Sequence, residues 1–303
     1  MTFTRFIYFC AIAGGWGALI GWGLGRGLVG GEGLLGQGLR GLYLGLALAV
    51  LLALIDGLWN HASRPFLLIL RVVVVGALGG LAGLLGGILA QALFSLWAGF
   101  FVVGWTLAGL FIGLALGVFD LIGGLLHGGE VRGSVSKMRN GLIGGLLGGV
   151  LGGLFALYLR GYWAVLFAAK DEKALFSPSG VGMTVLGICV GLFIGLAQVL
   201  LKEAWLKVEA GFRKGREMIL AGAETTIGRA ETCDVGLFGD PQVERLHARI
   251  VRRGNDFLVE DAGSASGTYV NDERIDGPRL LRAGDIIRLG RCLLRFGERT
   301  KSN

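Results

Sequence analysis

Proline and histidine are nearly missing from this chain, with four of the first and three of the second among 303 residues. Charged residues are scarce as well, at 17%, and most of that polarity falls after residue 201. These shortages remove whole classes of chemistry. His61, His127 and His247 have no histidine or thiol neighbours at metal-ligand spacing, and Cys10, Cys189, Cys233 and Cys292 form no CxxC pair. Neither a zinc site nor a disulfide framework is therefore expected, and the thiols read as small buried hydrophobes. No nucleophile elbow, phosphate-cradling Walker loop or paired carboxylates occur, so no enzyme, metal or cofactor is expected. The low proline content also separates the chain from collagen, although 57 residues are glycine. A net charge of +7 and a pI near 9.5 raise the question of nucleic acid. The basic residues form no stripe interleaved with aromatics, and that reading is set aside.

Long apolar runs are present instead. Hydrophobic residues make up 53% and mean hydropathy is +0.66. A hydrocarbon core about 30 Å thick takes about 20 apolar helical residues to cross. Six candidate spans follow: Phe6–Gly25, Leu39–Leu58, Phe66–Leu93, Leu96–Leu125, Asn140–Leu159 and Val181–Leu201. Arg5 precedes the first and no small-residue cleavage site follows it, which reads as an uncleaved signal anchor. Lysine and arginine are denser on the side that holds Arg5, Arg71, Arg139 and Lys202 than on the side that holds Arg26, Arg40 and Arg160. The positive-inside rule then puts both termini in the cytoplasm and the domain in the inner membrane.

The spans repeat. Gly41-Leu-Tyr-Leu-Gly-Leu-Ala47, Gly109-Leu-Phe-Ile-Gly-Leu-Ala115 and Gly191-Leu-Phe-Ile-Gly-Leu-Ala197 are nearly one heptapeptide in the second, fourth and sixth spans. Three helical hairpins explain this, with ion pairs such as those open to Asp56, Arg71, Asp120, Arg139 and Glu203 tying helices at one face. Of the 57 glycines, 44 lie in residues 1–205, many four residues apart, as in Gly79-Gly83-Gly87 and Gly141-Gly145-Gly149-Gly153. Such stripes let helices approach closely, which predicts a tight bundle, a glycine zipper suited to a compact or self-associating anchor. The same stripes suit a channel or transporter, although ionisable residues stay near span ends, where interfacial placement is the simpler reading.

Beyond Leu201 the pattern changes to short half-apolar runs between Gly, Asn and Asp turns, the signature of an all-β sandwich. Six motifs occur there in order: Gly228-Arg229, Cys233-Asp234, Val243-Glu-Arg-Leu-His-Ala-Arg-Ile250, Asp261-Ala-Gly-Ser264, Gly267-Thr-Tyr-Val-Asn271 and Ala283-Gly-Asp-Ile-Ile287. A phosphothreonine carries nearly two negative charges and three acceptor oxygens, so its reader needs a fixed guanidinium with hydroxyl or amide donors beside it. Arg229, on a turn after a strand, fits that role.

In this order and spacing the motifs resemble a forkhead-associated (FHA) domain over about Trp205 to Gly297. The resemblance implies a sandwich of about eleven strands whose loops at one end read phosphothreonine peptides without catalysis. It implies a second phosphate contact at Arg245 and loop-bracing at His247, Gly228 and Gly267, with Ser264, Ser266 and Asn271 along the peptide loops. Three positions depart from the family pattern. Glu244 replaces a serine, and Ala265 and Ser266 replace a Thr-Asn pair. Glu244 either repels a phosphate or occupies Arg229 in its place, which leaves phosphate-dependent and phosphate-independent docking both open.

The expected fold is thus an α-helical transmembrane bundle of about six helices, residues 1–203, followed by an all-β FHA sandwich, residues 204–303. The expected role is a membrane-held adaptor presenting the sandwich to a protein partner; the alternative is a channel or transporter gated by it. Only Lys202 and Glu203 link the halves, so the sandwich is expected against the membrane face, with Lys202, Lys207, Arg213 and Lys214 near anionic headgroups.

Overall fold

In a computed structural model the described residues are 3–31, 33–60, 65–97, 100–126, 132–166, 178–200, 202–220, 222–254 and 256–299. Six helices come first: α1 Phe3–Leu28, α2 Leu34–Asn60, α3 Pro65–Leu96, α4 Phe101–Leu126, α5 Arg132–Leu166 and α6 Pro178–Leu200. Five are long and apolar enough to cross a bilayer, and α4 contributes a shorter described run, Val102–Ala115. The third span extends through Leu96, where the fourth was expected to begin, and the fourth helix starts at Phe101. His61, His127 and the side chain of Asp120 lie outside the described residues.

Each helix packs on its sequence neighbours, and α6 returns to α1, which closes the six into a ring. The places where glycine meets glycine lie between, not within, the expected hairpins. Gly41 and Gly45 of α2 face Gly79, Gly83 and Gly87 of α3; Gly109 and Gly113 of α4 face Gly141, Gly145 and Gly149 of α5; Gly187 and Gly191 of α6 face Gly14 of α1. A methyl group on Gly45 would stand 2.9 Å from the Gly83 Cα, and one on Gly191 3.1 Å from the Gly14 Cα, with a carbonyl closer still in both cases. Backbones so close leave no room for any side chain. Dispersion and weak Cα hydrogen bonds then replace the hydrophobic drive that a lipid solvent would remove. Leu44, Leu48, Leu52, Ile112, Val190 and Ile194 fill the interior, while Phe66, Leu96, Trp97 and Tyr158 point outward.

Asp56 of α2 and Arg71 of α3 form an ion pair in which both side chains are 2% exposed. This joins two of the residues expected to tie the helices. Glu203 turns instead to Arg252 in the β domain.

The chain then forms β1 Ala204–Ala210, β2 Glu217–Ile219, β3 Glu224–Gly228, β4 Val235–Gly236, β5 Ala248–Arg253, β6 Asp256–Asp261, β7 Thr268–Val270, β8 Glu273–Arg274, β9 Arg279–Leu280, β10 Ile286–Leu289 and β11 Cys292–Glu298. They build two sheets, ordered β2-β1-β11-β10-β7-β8 and β4-β3-β5-β6-β9. Alternation in β1 and β5 buries Leu206, Val208, Ala248 and Ile250 between the sheets, against Ile227, Val259, Leu294 and Phe296.

The two layers touch. The Phe3 amide donates to Glu217 Oε2 at 2.9 Å, the Trp59 indole to the Glu217 carbonyl at 3.2 Å, and the Arg216 guanidinium to the Trp59 carbonyl at 2.8 Å. Lys202 Nζ sits 4.0 Å from the Phe3 ring centre and 4.4 Å from that of Trp205. Burial pushes its ammonium pKa down, with Glu217 opposing.

Because a buried charge stripped of its partner costs about 3–5 kcal/mol, Arg71→Met should lower the melting temperature of the detergent-solubilised chain sharply. The double variant Asp56→Leu/Arg71→Met should recover most of the loss. Equal damage from both would show that the pair does not act as a unit.

Candidate phosphopeptide site

The loops at one end of the sandwich are fastened by backbone hydrogen bonds. The Arg229 amide donates to the Glu244 carbonyl at 2.8 Å and the Ala230 amide to that of Arg245 at 3.0 Å. The turn after β3 thus lies along the segment before β5. Gly228 is required there, because a Cβ would strike the Arg245 carbonyl. Cys233 donates its thiol to the same carbonyl at 3.1 Å.

His247 is wholly buried and joins three segments. Its Nδ1 accepts the Glu244 amide at 3.1 Å, which leaves the proton on Nε2 to donate to the Gly267 carbonyl at 3.2 Å. Its own amide donates to Ile227 at 2.8 Å. With both ring nitrogens engaged, the imidazole is a brace.

Asp261, at the end of β6, gathers the next loop. Its carboxylate accepts the amides of Gly263 at 2.9 Å and Ser264 at 2.8 Å, and the hydroxyls of Ser264 and Thr268 at 2.6 Å each. Burial alone would raise its pKa; these four donors outweigh burial and hold it below the usual carboxylate range. Asp240 shows the same balance, with the Arg291 and Gln242 amides overcoming burial.

The expected site residues divide into two groups. Arg229 and Arg245 lie exposed on adjacent segments, and among the described residues neither side chain has an ion-pair or hydrogen-bond partner. Glu244 lies half-buried beside them, and no ion pair joins it to Arg229. Ser266 stands close by and donates to the Gln242 carbonyl at 2.7 Å. The other two are occupied within the fold. Ser264 is turned inward to Asp261. Asn271, at φ 52°, donates to Asp285 at 2.9 Å and accepts the Ile286 amide at 3.0 Å, bridging β7 to β10. Gly267, at φ 75°, lies beneath Arg274 of β8, whose Nε would stand 2.7 Å from an added Cβ. Arg274 brings a third guanidinium to these loops. Only the β7–β8 pairing, which sets it opposite Tyr269, places it there.

The two-sheet sandwich is consistent with an FHA fold, and residues 225–290 match the FHA domain family model. The chain is similar to the FHA domain-containing protein FhaB of Mycobacterium tuberculosis, 30% identical over 133 residues that cover 44% of this chain and 84% of that one. It is also similar to the glycogen accumulation regulator GarA of Mycolicibacterium smegmatis, 37% identical over 138 residues covering 46% and 82%. A solved FHA domain studied for phosphothreonine-dependent interactions aligns at 29% identity and a TM-score of 0.30 over 33% of this chain and 100% of that chain. The chain belongs to the FHA-domain proteins.

A carboxylate whose folded pKa is depressed stabilises the fold above its unfolded pKa, and that stability is lost as pH falls through the folded value. Urea denaturation of the chain should therefore show the sandwich weakening below the ordinary carboxylate range. Asp261→Asn should be less stable at neutral pH and show a shallower acid loss; an unchanged acid limb would assign the effect to other groups.

Proposed function

We propose that this protein is a membrane-anchored adaptor, with residues 1–203 as a glycine-zipper anchor and residues 204–303 as an FHA module that recruits a threonine-phosphorylated protein. The observation that carries this is the pair Arg229 and Arg245, exposed and without partners among the described residues, on loops that His247 and Asp261 hold in place. Two guanidiniums carried on braced loops suit one phosphate, since charge-assisted bidentate bonds are the strong ones. Glu244 does not neutralise Arg229, so it acts on a phosphate by repulsion. Arg274 adds a third guanidinium beside Gly267, while the Ser266 hydroxyl is engaged by the Gln242 carbonyl. The module's role is recognition, and the regulator among its relatives fits that role.

The placement of the N-terminus supports a cytoplasmic-membrane protein with both termini inside. Phe3 and the sandwich meet at one end of the helical ring, and the lysine and arginine bias assigns that end to the cytoplasm. The contacts of Trp59, Glu217 and Lys202 hold the module against the ring, so partners meet it in a fixed orientation. Lys202 is engaged between aromatic rings and Lys207 pairs with Glu209 at 3.3 Å. Arg213 and Lys214 remain exposed toward headgroups.

Titration of phosphothreonine peptides should show Arg229→Ala weakening binding by about 2 kcal/mol and Glu244→Ser strengthening it. Equal affinity for phosphorylated and plain peptide would replace this reading with phosphate-independent docking. Separately, Trp59→Ala should release the sandwich from the ring and speed proteolysis at residues 202–203, whereas unchanged cleavage would mean that the linker alone sets the orientation.

A further inference from the structure

At the end of the ring remote from the sandwich, α1 to α4 with Met183 of α6 line a partly open cavity of ≈ 380 Å³, within the range of small-molecule sites. Its lining includes the polar side chains of Arg26, Gln37, Arg40 and Gln91, the indoles of Trp22 and Trp105, and the apolar side chains of Leu44 and Ile112. Among the described residues no carboxylate lines it.

Arg40 is the informative residue. It directly precedes the first copy of the repeated heptapeptide, where the second and third copies have Ala108 and Val190. All three residues do the same packing, each laying its backbone on a glycine of the preceding helix: Gly25 under Arg40, Gly86 under Ala108 and Gly148 under Val190. Two repeats show that a small apolar side chain suffices for that contact. The arginine of the first repeat is thus surplus to packing, and it stands roughly 9 Å inside the start of α2 at 1.5 Å per residue. Its Nη2 donates to the Val29 carbonyl at 3.3 Å, and its Nε is buried with no hydrogen-bond partner. A buried guanidinium donor left unsatisfied is destabilising unless an acceptor arrives.

We propose that this cavity is a second binding site, which takes the phosphate group of an anionic amphiphile. The planar guanidinium of Arg40 matches phosphate oxygens, Gln37 and Gln91 supply further donors, and the indoles with Leu44 and Ile112 receive the apolar part. The same phosphate chemistry could come from a soluble ester, but the apolar lining favours a lipid. The assignment rests on the ring being embedded in a membrane, through which such a ligand reaches the mouth.

The test is native mass spectrometry of the full chain in neutral detergent, titrated with phosphatidic acid, phosphatidylcholine and sodium phosphate. Phosphatidic acid should be retained about tenfold better than phosphatidylcholine, the ratio expected for one charge-assisted hydrogen-bond set. Arg40→Ala, which copies the second repeat, should abolish that preference while leaving the melting temperature unchanged or higher. Should that variant fail to fold, Gln91→Leu should reduce the preference several-fold. Equal retention of the two lipids by the wild type, or a preference that survives loss of Arg40, overturns the site. Displacement of phosphatidic acid by sodium phosphate at matched concentration overturns the lipid assignment in favour of a soluble phosphate. A chain that stays in solution without detergent overturns the membrane reading instead; the Arg40 dependence is then read with dodecyl phosphate.

Discussion

Everything in the helical half depends on backbones meeting where a methyl group would not fit. At Gly41, Gly45 and Gly83, at Gly109, Gly113 and Gly145, and at Gly14 and Gly187 an added Cβ would run into a carbonyl of the facing helix, so the three close seams tolerate no side chain at these positions. Glycine in a helix interior is unfavourable by roughly 1 kcal/mol relative to alanine, and no isolated helix would accumulate so many. The close approach offsets that penalty only when all the partners are in place. It also decides what the rest of the ring can hold. With the α2–α3 and α4–α5 seams pinned on glycine, the larger residues Leu48 and Ile112 lie in the interior.

Much of this was legible in the sequence because periodicity reports which face of a helix is smooth. Glycines four residues apart predict a stripe, and the repeated heptapeptide predicts that three helices share a role. What periodicity leaves open is the partner. The stripe in α2 matches α1 and α3 equally well on paper, and only the ring shows that glycine meets glycine across the α2–α3 connection. The α3–α4 break escaped the sequence for a related reason. Residues 94–100 are nearly all apolar, so no change of polarity marks the turn in which the Phe100 amide reaches the Trp97 carbonyl at 3.0 Å.

The sandwich was legible through its loops. Gly228, His247 and Gly267 stand at fixed offsets because each meets a backbone constraint: a carbonyl overhead, two amide-level hydrogen bonds and a positive φ. Offsets do not show where a polar side chain turns. Ser264 and Asn271 have the chemistry of peptide contacts, yet the carboxylate of Asp261 and the edge of β10 claim them first. Arg274 reaches the same loops from a two-residue strand that carries no pattern of its own. Side chains that brace and side chains that bind draw on the same residue types, and only hydrogen-bond geometry separates them. By that criterion, the groups left for a ligand are the guanidiniums, not the hydroxyls.

The two ends of the protein share two helices. Through Phe3 and Trp59, α1 and α2 grip Glu217 of the sandwich; through Trp22, Arg26, Gln37 and Arg40, the same two helices form much of the remote cavity. Between these points α1 and α2 touch along Gly17, Gly21 and Gly25, where the backbone of α2 lies directly against α1. A rigid contact of this kind has no continuous range of spacings, because a packed interface shifts between discrete arrangements or not at all. A ligand in the cavity influences the sandwich only if it binds two such arrangements with different affinity. By linkage, a partner on the FHA loops would then influence the cavity by the same free energy. The bonds to Glu217 are the elements through which that coupling would pass, since they join backbone or indole donors of both helices to one residue of β2.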